Sequence, residues 1–168
     1  RGFQGPDLSA PDRVVACAKH FAGYGAADGG RDYDPVYLSE GQLRNVIFPP
    51  FQAALEAGVG SFMSAYMDLN DVPASGNRFL LQDILRGEWG FEGFVVSDAF
   101  AVGNLVVQGF ARDGRDAALR ALSAGLDMDM ASGTFAQHLA GLVEDGTLPM
   151  TLIDAAVRRI LALKVRMG

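Results

Sequence analysis

The chain has 168 residues, 49% of them apolar, which is enough for one sizeable core and too few for two. Fourteen basic residues against twenty acidic give a net charge of −6, which excludes the basic face that nucleic acid needs. The single Cys17 excludes an internal disulfide framework and a cysteine-based zinc site, and no apolar run approaches the roughly 20 residues of a membrane span.

The chain opens on Arg1-Gly2-Phe3 with neither an initiator methionine nor a signal-peptide pattern, so a segment of a longer protein is expected. Residues 1–11, rich in Gly, Pro and Asp, read as a loop. Asp12–Cys17 reads as a short helix running into a strand over Ala18–Phe21. A long glycine-rich loop follows from Gly23 to Pro35, and loops of that length inside a compact domain are usually functional. Ser39 opens a helix. Gln42, three residues on, completes a capping box in which each side chain satisfies a free backbone N–H of the first turn. Pro49-Pro50 ends that helix and starts another, with Phe51, Ala54 and Leu55 on one face and Gly58 as its stop. Ser61–Tyr66 reads as a second strand and Met67–Gly76 as a loop. Asn77 caps a helix with Leu80, Leu81, Ile84 and Leu85 on one side and Gly87 beyond its end.

The chain is organised around Gly90–Val102, GFEGFVVSDAFAV. Phe94-Val95-Val96, after a glycine-bracketed turn, reads as a buried parallel strand. Asp98 stands at its carboxyl end, where ligands bind and catalytic side chains project in α/β proteins. The same aspartate also suits a helix cap. Beyond it, Arg112–Ala124 reads as a helix ended by Gly125, and Leu126–Met130 as a short fourth strand. Phe135–Glu144 and Thr151–Met167 read as helices, the last aligning Leu152, Ala156, Ile160 and neighbours at helical spacing. Its cations Arg158, Arg159, Lys164 and Arg166 complement the helix dipole.

Strand and helix thus alternate four times, which implies a parallel sheet with helical crossovers. A doubly wound sheet and a barrel share this period. Polar groups at the strand ends (Lys19-His20, Tyr66, Asp98, Asp127 and Asp129) favour the barrel. A full barrel usually takes about 250 residues. The fold class expected is therefore α/β, part of a (β/α)8 TIM-like barrel, about the last four βα units.

Several side chains carry chemistry. Lys19 and His20 can donate hydrogen bonds to hydroxyls or anions, and a lysine there can form a Schiff base if it is neutral. A snorkelling lysine beside a core histidine is the plainer reading. Tyr66 either bonds a neighbouring carboxylate or fills the core. Met63 reads as core, and Arg31-Asp32 as a pocket lining or a solvated pair. Asp127 and Asp129, two apart, either share a strand face as metal ligands or cap the following loop, the reading favoured here. Gly29-Gly30 lacks the following helix start of a phosphate cradle, and His138 reads as a surface residue.

Read together, these pieces resemble a known family. Lys19-His20-Phe21 with Gly23-Tyr24-Gly25, then Ser64-Ala65-Tyr66 with Val72-Pro73-Ala74, then Trp89-Gly90-Phe91 with Gly93-Phe94-Val95-Val96-Ser97-Asp98, occur in the order found in glycoside hydrolase family 3. The β-glucosidase and β-xylosidase branch is the most similar, and Arg159-Ile160-Leu161 with Lys164 resembles the last helix of its first domain. The resemblance covers nearly the whole chain. It implies that residues 1–168 are the C-terminal portion of the N-terminal barrel domain, with the remaining barrel and a second domain elsewhere.

The resemblance also implies roles. Asp98 matches the nucleophile. Lys19 and His20 match the pair that holds sugar hydroxyls, Tyr66 the tyrosine beside the nucleophile, and Met63 a residue of the pocket wall. Arg31 and Asp32 fall where family loops approach the sugar. A retaining glycosidase needs an ionised carboxylate at C1 and a second carboxyl group about 5–5.5 Å away. An aspartate hydrogen-bonded by Tyr66 near Lys19 is expected to stay ionised. The loop Arg31-Asp32-Tyr33-Asp34-Pro35 has no histidine, unlike the N-acetylglucosaminidase branch, so the general acid is expected on a second domain. Three departures stand out: Ala99 in place of an aromatic, Met67 in place of Asn, and Asp71 in place of the Gly before Val72-Pro73.

The expected function is a retaining β-glycosidase, a β-glucosidase cleaving terminal non-reducing β-D-glucosyl residues. Its partners would be a β-glucoside or short β-linked oligosaccharide and the remaining domains of the same enzyme. No cofactor, metal, nucleic acid or membrane is expected, and the family resemblance favours the periplasm or secretion. Two alternatives are a catalytically silent sugar-binding or structural barrel and a Schiff-base lyase using Lys19.

Overall fold

The computed structural model describes residues 2–168. Three parallel strands form its centre, in the order β1 (Cys17–Phe21), β2 (Ser61–Ser64), β5 (Phe94–Val96). Met128 adds a single parallel bridge to Val96 on the far side of β5. Consecutive strands lie side by side, each pair joined by helices, as in successive units of a TIM-like barrel.

The start of β1 differs from the sequence reading. Residues 13–16 are extended, not helical. Val14-Val15 is β-branched, which disfavours a helix. The Gln4 carboxamide also holds this backbone, accepting from the Ala16 and Gly60 N–H groups at 2.9 Å and donating to the Gly58 carbonyl at 2.8 Å. The expected capping box is present: the Ser39 side chain accepts from the Gln42 N–H and the Gln42 side chain from the Ser39 N–H. It opens α1 (Glu40–Gln42), which widens into a π-type turn over Leu43–Ile47 before α2 (Pro49–Glu56).

Phe21 is wholly buried against Phe48, Phe51, Phe62 and Trp89, all with ring centroids within 5.9 Å. Burying one such side chain contributes about 1.5–3 kcal/mol. This aromatic cluster holds β1 and β2 against α2 and backs the strand ends that carry the polar groups.

β2 ends at Ser64, two residues short of the expected strand. The Ala65 N–H still donates to the Phe21 carbonyl, at 2.9 Å, and the chain then turns out at Tyr66. The segment read as a plain loop holds a two-stranded hairpin, β3 (Asp68–Leu69) and β4 (Val72–Pro73). Its turn residues Asn70 and Asp71 have φ of 51° and 68°. That is the two-residue turn with both central residues left-handed, which Asn and Asp tolerate better than most. Asp71 therefore fits where the family's usual residue is glycine.

Asn77 caps the next helix as expected, its carboxamide oxygen accepting from the Leu80 N–H at 3.2 Å. That helix runs over Phe79–Glu88 in π-type winding and so includes Gly87. The turn before β5 tolerates only glycine at position 93: a Cβ there would meet the Gly60 carbonyl oxygen at 2.3 Å. This close approach lets β2 and β5 start side by side. After β5 come α3 (Ala101–Val107), α4 (Gly114–Ala124), α5 (Thr134–Glu144) and α6 (Met150–Met167). Helices α4, α5 and α6 share a second apolar cluster around Leu122, Leu142, Leu148 and Ala156.

Candidate active site

The site lies at the carboxyl ends of the strands. Ser97 and Asp98 follow β5 and do separate jobs. The wholly buried Ser97 donates its N–H to the Met128 carbonyl at 2.9 Å, and its hydroxyl accepts from the Met130 N–H at 2.9 Å. It therefore ties β5 to Met128 and Met130, in a segment that makes only a single bridge where the sequence predicts a strand over Leu126–Met130. Asp98 is 9% exposed, and its Oδ1 accepts from the Ala99 N–H at 2.8 Å. It is not the side-chain cap of α3; Phe100 occupies that position, left-handed at φ 63°.

Two neighbouring strands deliver polar side chains to Asp98. From β1, His20 Nε2 lies 3.4 Å from Asp98 Oδ2. Tyr66, two residues past the end of β2, lies near enough to the carboxylate to be shifted by it. Its burial, and then its hydrogen-bonding contact with Asp98, push its pKa up to about 12. The phenol therefore stays protonated and available as a donor. Tyr24 stands behind His20, with ring centroids 4.9 Å apart, and donates its hydroxyl to Asp32. Burial, then that bond, then the Asp98 charge raise the Tyr24 phenol in turn.

Lys19 opens with His20, Tyr24 and Phe51 onto a cavity of about 310 Å³. Met63 pairs in register with Val96, so the two share one face of the sheet. Met63 lines a second, apolar cavity of about 370 Å³ on that face, with Cys17, Val96, Met128 and Leu163. Arg31 meets the Asp34 carboxylate with its guanidinium at 2.8 Å.

The structure separates the two aspartates after β5. Asp129 takes the expected capping role, accepting from the Ser132 hydroxyl and the Phe135 N–H at the start of α5. Asp127 is instead the centre of a buried ion-pair cluster. It accepts from Arg86 at 2.5 Å, Arg159 at 2.8 Å and the Val95 N–H at 2.8 Å. Arg159 therefore serves this cluster and is more than a partner of the helix dipole. Sequence reasoning missed the cluster because its members are separated by tens of residues. Among the described residues, no group of three His, Cys, Asp or Glu side chains is placed to hold a metal ion.

The profile of the glycosyl hydrolase family 3 N terminal domain matches residues 1–163. The chain belongs to glycosyl hydrolase family 3. It is 42% identical over 168 residues to a periplasmic β-glucosidase of Salmonella typhimurium, covering 100% of this chain and 22% of the relative. A β-xylosidase of Formosa agariphila is 43% identical over 166 residues, 94% of this chain and 23% of the relative. Among solved structures, the β-glucosidase of Listeria innocua in complex with glucose superposes with a TM-score of 0.97 at 38% identity, covering 99% of this chain and 24% of that one. The same Listeria protein has been solved with isofagomine and, as a mutant, with laminaribiose. The family 3 segment described here thus spans under a quarter of the length of these relatives. Its parallel sheet with helical crossovers is the arrangement of the family's TIM-like barrel. No helix among the described residues is long and apolar enough to cross a membrane.

Proposed function

We propose that this chain is the later part of the barrel domain of a retaining β-glycosidase, most simply a β-glucosidase, with Asp98 as its nucleophile. The observation that supports this reading best is the convergence of His20 and Tyr66, from two adjacent strands, on a carboxylate at the end of a third. The Ala99 N–H fixes Oδ1, which leaves Oδ2, on the His20 side, to face the sugar.

In the first step an Asp98 oxygen attacks the anomeric carbon. The bond from that carbon to the leaving oxygen breaks, and the leaving oxygen takes a proton from a general acid outside these residues. The product is a glycosyl ester on Asp98. In the second step water attacks the same carbon and loses its proton to the group that acted as acid. The ester bond breaks, Asp98 returns as a carboxylate, and the sugar leaves with its configuration retained. Lys19 and His20 hold sugar hydroxyls, with bonds that strengthen as the ring flattens toward the oxocarbenium ion. Tyr66 steadies the Asp98 carboxylate, Met63 contributes to the wall beneath it, and Asp32 acts through Tyr24.

The substrate is a β-glucoside or short β-linked oligosaccharide, in keeping with the β-glucosidase names of the Salmonella and Listeria relatives. The rest of the barrel and a second domain with the general acid complete the site. The Salmonella relative's periplasmic name supports a periplasmic or secreted setting.

In the full-length protein, Asp98→Ala is expected to abolish turnover of an aryl β-glucoside with an unchanged circular-dichroism spectrum. A variant that kept most of the rate would end this reading. Glucose binding with no hydrolysis by the wild type would favour the silent barrel.

A further inference from the structure

We propose that Tyr33 is a specificity-determining residue that stacks on the leaving group, selecting substrates whose leaving group presents a flat apolar face. The proposal rests on the β-glycosidase reading above. It begins from a conformation that is costly for a bulky residue: Tyr33 has φ 69° and its residue is 48% exposed.

The neighbours of Tyr33 impose that conformation. The loop closes on itself where the Asp28 N–H donates to the Pro35 carbonyl at 3.2 Å and Arg31 pairs with Asp34. On one side of Tyr33, Asp32 accepts from the Tyr24 hydroxyl; on the other, Asp34 is held by Arg31. Arg31 thus braces the loop. Held this way, the Tyr33 ring lies 4.7 Å from the Tyr66 ring at a 48° tilt, and Tyr66 in turn lies near Asp98. Tyr33 is therefore one ring removed from Tyr66's carboxylate neighbour and remains about half exposed. It adds little to the buried core, so packing alone does not account for the strained loop.

Ala99 puts no ring beside Asp98. The next residue, Phe100, is also left-handed and 58% exposed. Two exposed rings in costly conformations thus sit on two different loops, one stacked on Tyr66 and one two residues past Asp98 in the chain. Aromatic faces prefer other rings and the apolar C–H face of a pyranose over water. An aryl group and a second sugar therefore share the required chemistry.

The test uses the full-length protein, its Tyr33→Ala and Tyr33→Phe variants, and three substrates: an aryl β-glucoside, laminaribiose and β-glucosyl fluoride. The fluoride has no leaving-group face to stack. Tyr33→Ala is expected to lower kcat/KM roughly threefold to tenfold on the aryl glucoside, the disaccharide or both. It should leave the fluoride within about twofold, which also shows that the variant is folded, and Tyr33→Phe should restore the loss. Loss on one substrate alone assigns the stacking to that leaving group. An equal loss on the fluoride, or no loss on the other two, would overturn the proposal. A wild type inert toward all three would instead remove the glycosidase reading, and this proposal with it.

Discussion

Asp127→Ala should destabilise the full-length protein more than any other single ion-pair deletion described here. The carboxylate is almost wholly buried and accepts from Arg86, Arg159 and the Val95 N–H. Burial pushes its pKa up, and the two guanidiniums and the N–H pull against that. Truncation leaves the buried Arg86 charge without its carboxylate, and breaking a buried pair from one side costs about 3–5 kcal/mol. At about 2–4 °C per kcal/mol for a domain of barrel size, Tm should fall by roughly 6–20 °C. Arg159→Ala should cost less, about 1–2 kcal/mol. The Arg159 side chain is partly exposed, and Asp127 keeps its other two donors. Val95 is three residues before Asp98, so surviving Asp127→Ala protein should also lose kcat/KM on an aryl β-glucoside. Thermal denaturation followed by circular dichroism gives both shifts. A drop of under about 2 °C for Asp127→Ala, or a larger drop for Arg159→Ala, would refute the reasoning.

Two further outcomes concern pH. Asp116 accepts from the Arg112 N–H at 3.0 Å and from Arg120 at 3.1 Å, and the Arg112 bond leads the effects that hold its pKa below the ordinary value. Its stabilisation is present above the unfolded pKa and is lost as pH falls through the folded one. Asp116→Ala should therefore cost about 1 kcal/mol at pH 7, and its Tm gap to wild type should close below about pH 4. Tyr66 shifts the other way, so its contribution is complete below the unfolded value near pH 10 and is lost as pH rises through about 12. Tyr66→Phe should remove one phenol ionising near pH 12 from an alkaline absorbance titration; loss of one ionising near pH 10 would contradict the burial and the Asp98 influence that together raise it.

Local signals in the sequence carried much of the fold. The Ser39–Gln42 capping box, the Asn77 cap and the β5 run each depend on residues within a few positions of one another. The local pattern placed Asp98 at a strand's carboxyl end, where it also suited a helix cap, and only the family resemblance implied a nucleophile. Long-range pairings were not legible. Gln4 overrode the helix expected over Asp12–Cys17 by holding Ala16 and Gly60 from a distant loop. Asp127 joins Arg86 and Arg159, which no local pattern links. The pairing of Arg31 with Asp34, rather than with its neighbour Asp32, was likewise not legible. The hairpin at Asn70-Asp71 was hidden because each of its strands is two residues long, too short for any alternation to register.

The most direct test of the account is covalent trapping. A 2-deoxy-2-fluoro-β-glucoside with a good leaving group slows the second step and leaves the sugar on the nucleophile. Trypsin cuts after Arg86 and Arg112, giving a peptide over residues 87–112 whose only carboxylate side chains are Glu88, Glu92 and Asp98. Tandem mass spectrometry of the treated full-length protein should place the added sugar on Asp98. A sugar on any other residue, or turnover with no adduct, would contradict Asp98 as the nucleophile.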